Sequence, residues 1–277
     1  MQNTAEDLME KLITFGGKAY PKFGNIVVMA GGAGSGKGFV LNKLVGVEGK
    51  VFDVDELKRL ASKTPSIKKR VKKELGVDIE ALGKDLKNPE NVSKLHDIIA
   101  NFLGADKGKE RMFYRSVLTS PADRKPNIIF DMTFKELSKL EKVANDASKL
   151  GYDKKNIHIV WVVNDIEVAQ AQNAKRARRV PSEILINTHR GAANTMGDII
   201  NMGNKLKKYM DGDIVFAFNK VGVDANLATS GKGGSYVKDA NYFYVKKQGK
   251  APTSIDKLDK DIRRKIKGYV PKNVDWD

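Results

Sequence analysis

The feature that most constrains this chain is an apolar run, Asn25-Ile-Val-Val-Met-Ala30, that leads straight into Gly31-Gly32-Ala33-Gly34-Ser35-Gly36-Lys37-Gly38 and then into Phe39-Val-Leu-Asn-Lys-Leu-Val45. A short, unbroken apolar run has the form of a strand buried on both faces, and the spacing after the glycines is helical. Strand, glycine turn and helix in that order match the pattern G-x-x-x-x-G-K, with Gly31, Gly36 and Lys37 at its fixed positions. Such a turn suits phosphate. Its glycines let successive N–H groups converge on phosphate oxygens, its lysine reaches the terminal phosphates, and the helix N-terminus adds positive dipole. Gly32, Ala33, Gly34, Ser35, Gly36, Lys37, Gly38 and Phe39 are therefore the expected nucleotide contacts, with ATP as the expected ligand. The Ser or Thr that usually follows the lysine and binds Mg²⁺ is Gly38 here, and Phe39 comes next. Mg²⁺ is then expected to be held mainly through water and carboxylates.

The remainder of the chain alternates strand-like and helix-like segments. Lys50–Val54, Asn127–Asp131, His158–Val163 and Asp213–Phe218 read as strands, and 135–150 and 183–208 as helices. Residues 5–15 and about 254–267 have amphipathic helical spacing. This alternation predicts a three-layer α/β/α fold with a five-stranded, mainly parallel sheet. The expected division is a main domain over 1–220, carrying a basic helical insertion at 56–126, and a C-terminal appendage over 221–277. Within the insertion, Ser66–Leu75 is expected as a helix with Ile67, Val71 and Leu75 facing inward.

In open α/β sheets the ligand site lies at the carboxyl ends of the strands. Asp53 and Asp55 close the second strand and Asp131 the third. Asp131, after an apolar strand, suits Mg²⁺ bound through water. Asp53 and Asp55 are candidates to orient and deprotonate an attacking hydroxyl, although a helix N-cap is a competing role for Asp55. Farther on, Lys175-Arg176-Ala-Arg178-Arg179-Val-Pro181 gathers arginines whose planar donor forks could stabilise charge on a transferred phosphoryl group. His189 and Arg190 are weaker candidates for the same task.

The 277 residues carry 50 Lys and Arg against 34 Asp and Glu, a net charge of +16, which favours a polyanionic partner without choosing among nucleotide, nucleic acid and anionic surface. The absence of cysteine removes disulfides, thiolate metal sites and cysteine nucleophiles. No apolar run approaches a membrane span, so a cytoplasmic protein with no membrane partner is expected. Arg111-Met-Phe-Tyr114-Arg115 and Tyr242-Phe243-Tyr244 beside Lys246 and Lys247 mix aromatics with cations. Either could stack bases or pack in a core.

The glycine loop followed by Asp53-Val-Asp55-Glu-Leu-Lys58 resembles the zeta-toxin family of P-loop kinases and their relatives, polynucleotide kinase and chloramphenicol phosphotransferase. Asn127-Ile-Ile-Phe-Asp131-Met-Thr133, Gly151-Tyr152 and Ala217-Phe-Asn219 match that family too, so the resemblance covers about 25–220. It implies an ATP- and Mg²⁺-dependent kinase with a hydroxyl acceptor. Lys37 and Asp55 would be catalytic, with Asp55 as base, and Asp131 and Asp55 would hold the metal. A lid over 174–192 would supply Arg176 with Arg178 or Arg179, while Asp53, Thr133, Arg178 and Arg115 would face the acceptor. Nucleic acid or a nucleotide, and a UDP-sugar as in zeta toxins, are the competing acceptors. A nucleotide- or nucleic-acid-binding protein with little turnover is the alternative of another class.

Overall fold

The computed structural model describes residues 13–19, 21–52, 62–102, 114, 117–175, 179–218, 226–229, 235–238, 242–258 and 266–267. Its main sheet contains β1 (Ile26–Ala30), β2 (Lys50–Phe52), β3 (Ile128–Asp131), β4 (Ile157–Val163), β5 (Ile214–Phe218) and β8 (Tyr242–Lys246), in the order β2-β3-β1-β4-β5-β8. The first five are parallel and β8 is antiparallel to β5. A separate antiparallel pair joins β6 (Asn226–Thr229) to β7 (Ser235–Lys238).

The expected α/β architecture is present, but the sheet has six strands, not five. The sixth comes from the aromatic cluster. Phe243 packs edge-on to Phe216 and stacks on Phe218, with ring centroids at 5.3 and 5.8 Å. A β5 strand that is apolar throughout needs a neighbour on its open side, and β8 supplies it. These aromatics serve packing.

Strand alternation distributes side chains between two cores. Ile26, Val28 and Ala30 of β1 face one core, with α5 (Ser138–Lys149) and α7 (Ser182–Asn201) contributing Leu140, Val143, Met196 and Ile199. Val27 and Met29 face the other, against Val40, Leu44 and Val45 from α1 (Lys37–Val40) and the wider helical turn that continues it through Leu41–Val45. Helices thus cover both faces. The insertion forms α2 (Pro65–Leu75), α3 (Ile79–Lys84) and α4 (Pro89–Asp97), and builds a small core of its own from Val71, Ile79, Leu95, Ile98 and Ile99. Ile67 and Val71 face inward as expected, whereas Leu75 is 41% exposed, because α2 stops there at the left-handed turn of Gly76. Lys68 and Arg70 are paired with Glu80 and Glu74. The helix after β4 is α6 (Ile166–Lys175).

Buried polar groups cluster at the amino ends of the strands. His158, wholly buried in β4, accepts the Asp213 N–H on Nδ1 at 2.9 Å and has Nε2 3.3 Å from Asn25 Oδ1. Burial holds its imidazole below the ordinary value, so it is neutral at pH 7. Burial works against charge on Asp213, but the hydrogen bonds that its carboxylate accepts from the Gly16 and Gln248 N–H groups, with the His158 ring beside it, outweigh that and lower its pKa. Lys246 is buried beside Asp211 at 3.0 Å and also donates to Gly212 O. Tyr244 hydroxyl ties β8 to Thr14.

Candidate phosphate-binding site

The loop after β1 lies at the carboxyl ends of the strands, where an α/β sheet opens onto its ligands. Its path depends on glycine: Gly31, Gly34 and Gly36 have φ of 145, 76 and 90°. A Cβ on Gly31 would stand 2.7 Å from Val162 O, so the loop also presses directly onto β4. Ser35 is buried within the turn.

Lys37, the first residue of α1, folds back over the loop. Its Nζ donates to Gly31 O at 3.0 Å and Gly32 O at 3.3 Å, and lies 3.7 Å from Asp131 Oδ1. The structure therefore brings together the loop, its lysine and the acid that ends β3. Thr133 joins them through its backbone, accepting the Gly31 N–H at 3.4 Å. The next residue, Phe134, is buried at φ 55°, an unusual conformation for a bulky side chain, and this strained turn carries the β3 exit onto the loop.

Gly38 is exposed, and a Cβ built on it meets nothing within 4 Å. No steric or backbone demand therefore requires glycine there. Phe39 is half-buried against the core that α1 covers, which gives it a packing role where a threonine would offer a hydroxyl.

Of the 174–192 stretch, residues 174–175 and 179–192 are described. Arg179 is exposed, and its N–H donates to Leu86 O at 3.0 Å, so this segment rests on the chain between α3 and α4. Asn173 in α6 ties the two ends of this segment together by bonding both the N–H and the C=O of Val180, at 2.9 and 2.7 Å. Asp53, Asp55, Arg115, Arg176 and Arg178 lie outside the described residues. Among the described residues, no three acids or histidines cluster as a metal site, and no helix is long and apolar enough to cross a membrane.

Three contacts on the loop were not expected from the sequence. Asn164, fully buried after β4, donates to Gly34 O at 3.3 Å. Thr188 and His189, in the second turn of α7, both reach Ala33, with Thr188 Oγ1 at 3.0 Å from its nitrogen and His189 Nε2 at 2.9 Å from its oxygen. Burial holds the His189 pKa below its ordinary value, and the Lys37 charge adds to that. No local pattern marks Asn164 or Thr188, and His189, a weaker candidate for charge on the transferred group, here bonds the loop backbone; the contacts span 130 positions of sequence or more.

No family model matches the chain, nor does any curated protein. Solved structures are similar to it in outline. One is a chain of the PezAT chromosomal toxin–antitoxin system of Streptococcus pneumoniae, 16% identical, matched over 73% of this chain and 70% of that one with a TM-score of 0.39. Others are chains of the AvrRxo1-ORF1:AvrRxo1-ORF2 complex. The structure with sulphate is 11% identical over 91% of this chain and 66% of that one, with a TM-score of 0.44. The structure with ATP is 11% identical over 91% and 65%, with a TM-score of 0.45. This chain spans just under two thirds of the length of those AvrRxo1 chains. By its own strand order, its loop after β1 and the acid ending β3, the fold is consistent with that of a P-loop NTPase.

Proposed function

We propose that the protein is an ATP-dependent phosphotransferase that moves the γ-phosphoryl group to a hydroxyl acceptor. The observation that carries this reading is the glycine loop with Lys37 lying across it, 3.7 Å from Asp131 at the open end of the sheet. Phosphoryl transfer needs positioning and charge neutralisation more than covalent help from the protein, and these parts are suited to that. The loop N–H groups and Lys37 would hold the phosphates. Asp131 would anchor Mg²⁺ through water, which suits an ion that keeps several waters and takes few protein carboxylates. Bound there, Mg²⁺ would neutralise charge on the phosphates.

Asp55 is assigned as the base that takes the acceptor's proton and as a further metal ligand, with Asp53, Thr133 and Arg115 facing the acceptor. Arg176, with Arg178 or Arg179, is assigned to the charge on the transferred group. The acceptor belongs to nucleic acid or a nucleotide, for which the net charge of +16 speaks, with a UDP-sugar as the rival. The missing hydroxyl at Gly38 favours a second reading, a nucleotide-binding protein with little turnover.

Incubation with γ-labelled ATP and panels of oligonucleotides, nucleosides and UDP-sugars separates the readings. Label is expected in one acceptor class, and Lys37→Ala and Asp55→Asn each lower transfer by roughly a hundredfold or more. Label in no acceptor favours the binding protein, and unchanged transfer in both variants would sink the mechanism.

A further inference from the structure

The loop is gripped from outside by a helix that the proposed chemistry leaves idle. Ala33 N–H donates to Thr188 Oγ1, and Ala33 O lies 2.9 Å from His189 Nε2. A carbonyl oxygen only accepts, so Nε2 is assigned the proton and the neutral imidazole donates. The Thr188 hydroxyl sends its own proton to Leu185 O at 2.7 Å, which leaves a lone pair for the loop. The buried imidazole also packs tightly on Gly32, where an added Cβ would stand 2.1 Å from His189 Cδ2.

We propose that Thr188 and His189 are positioning residues for the phosphate loop, a two-point clamp on both backbone polar groups of Ala33 that sets the path of Gly31–Gly34 before nucleotide arrives. The inference rests on the reading of this loop as a nucleotide site. A glycine-rich turn has few side chains to pack and much backbone freedom to lose, so an unclamped loop would be ordered at the expense of binding. Ordering it beforehand removes that cost from the association step. The clamp also ties the loop to the segment that joins α6 to α7. Helix α7 begins directly after residues 179–181, and α6, before that segment, lays Ala169 O where a Cβ on Gly34 would approach within 3.2 Å. Both helices that flank that segment therefore bear on the loop.

The test is an ATP titration of the full chain by calorimetry, paired with melting curves taken without nucleotide. Thr188→Val and His189→Ala each weaken ATP binding roughly fivefold, the net worth of one hydrogen bond. Thr188→Ser and His189→Gln, which keep the hydroxyl and the N–H, recover most of that loss. Gly32→Ala weakens binding more than either, and adding His189→Ala to it restores part, because the ring it strikes is gone. Residues with a purely structural role would lower the melting temperature and leave the ATP affinity of the folded protein unchanged, and that result overturns the proposal. So does tighter binding in Thr188→Val, which would mean that the hydroxyl competes with phosphate for the Ala33 N–H. An unsubstituted chain that binds no ATP overturns the nucleotide-site reading itself, and the clamp with it.

Discussion

At the amino ends of the strands, His158, Asp213, Asp211, Lys246, Asn25 and Asn127 bond to one another and to nearby backbone, deep in the protein. At the carboxyl ends, Lys37 lies on carbonyls of its own loop, and that loop is steadied by Asn164, Thr188 and His189. Both edges belong to the same sheet and both bury polar atoms. The first is a closed network in which charge meets charge inside the protein. The second holds a turn in shape while Gly38 stays exposed and Asp131 remains 28% accessible. A closed network stabilises a fold, whereas a shaped turn beside open space can exchange its resting contacts for a ligand's.

Breaking the closed edge has the largest expected effect on stability. Asp213→Ala strips His158 of its carboxylate and leaves the Gly16 and Gln248 N–H groups without their acceptor. It should destabilise the protein by about 3 kcal/mol, read as a lower denaturation midpoint in urea at pH 7.5. If nucleotide affinity per folded molecule also collapsed, the two edges would not be independent.

Acid should act on the same edge with a smaller effect. His158 is held below its ordinary value of 6.5 by burial, so below that pH the unfolded chain binds the extra proton more readily than the folded one. Stability is full above about 6.5 and declines as the pH falls toward the lowered folded value. His189 contributes with the same sign. Urea midpoints at pH 7.5 and 5 should therefore differ, with the lower value in acid, and His158→Gln should make the difference smaller. A midpoint that rose on acidification would show the sign to be wrong.

The smallest change sharpens the open edge. Gly38→Ser places a side chain in free space at a helical position and supplies the hydroxyl that the loop lacks. The apparent Mg²⁺ affinity in the transfer assay should rise a few-fold, and the fold should gain about 0.5 kcal/mol from the lost glycine. A weaker Mg²⁺ dependence would mean that the metal does not sit beside Gly38.

Much of this was legible in the sequence because its physics is local. The apolar runs of β1, β3, β4 and β5 announce strands covered on both faces, and the glycines with Lys37 announce the turn that follows β1. Tyr242–Lys246 stayed ambiguous for a reason that is also physical: aromatics beside lysines look alike whether they stack on a base or pack in a sheet. Only the contact of Phe243 with Phe216, and of Lys246 with Asp211, distinguishes the two. Leu75 kept the right helical spacing and still faces solvent, because periodicity gives a direction and says nothing about where the partner ends.

By itself, the sequence determined the α/β class, the phosphate loop, its lysine and the acid that closes β3, since each follows from residue types a few positions apart. Tertiary structure alone decided that the sheet has a sixth strand, that Lys246 is buried against Asp211, and that Thr188 and His189 hold Ala33. Those facts depend on which distant segments share a surface once the core has closed, and no local spacing encodes that.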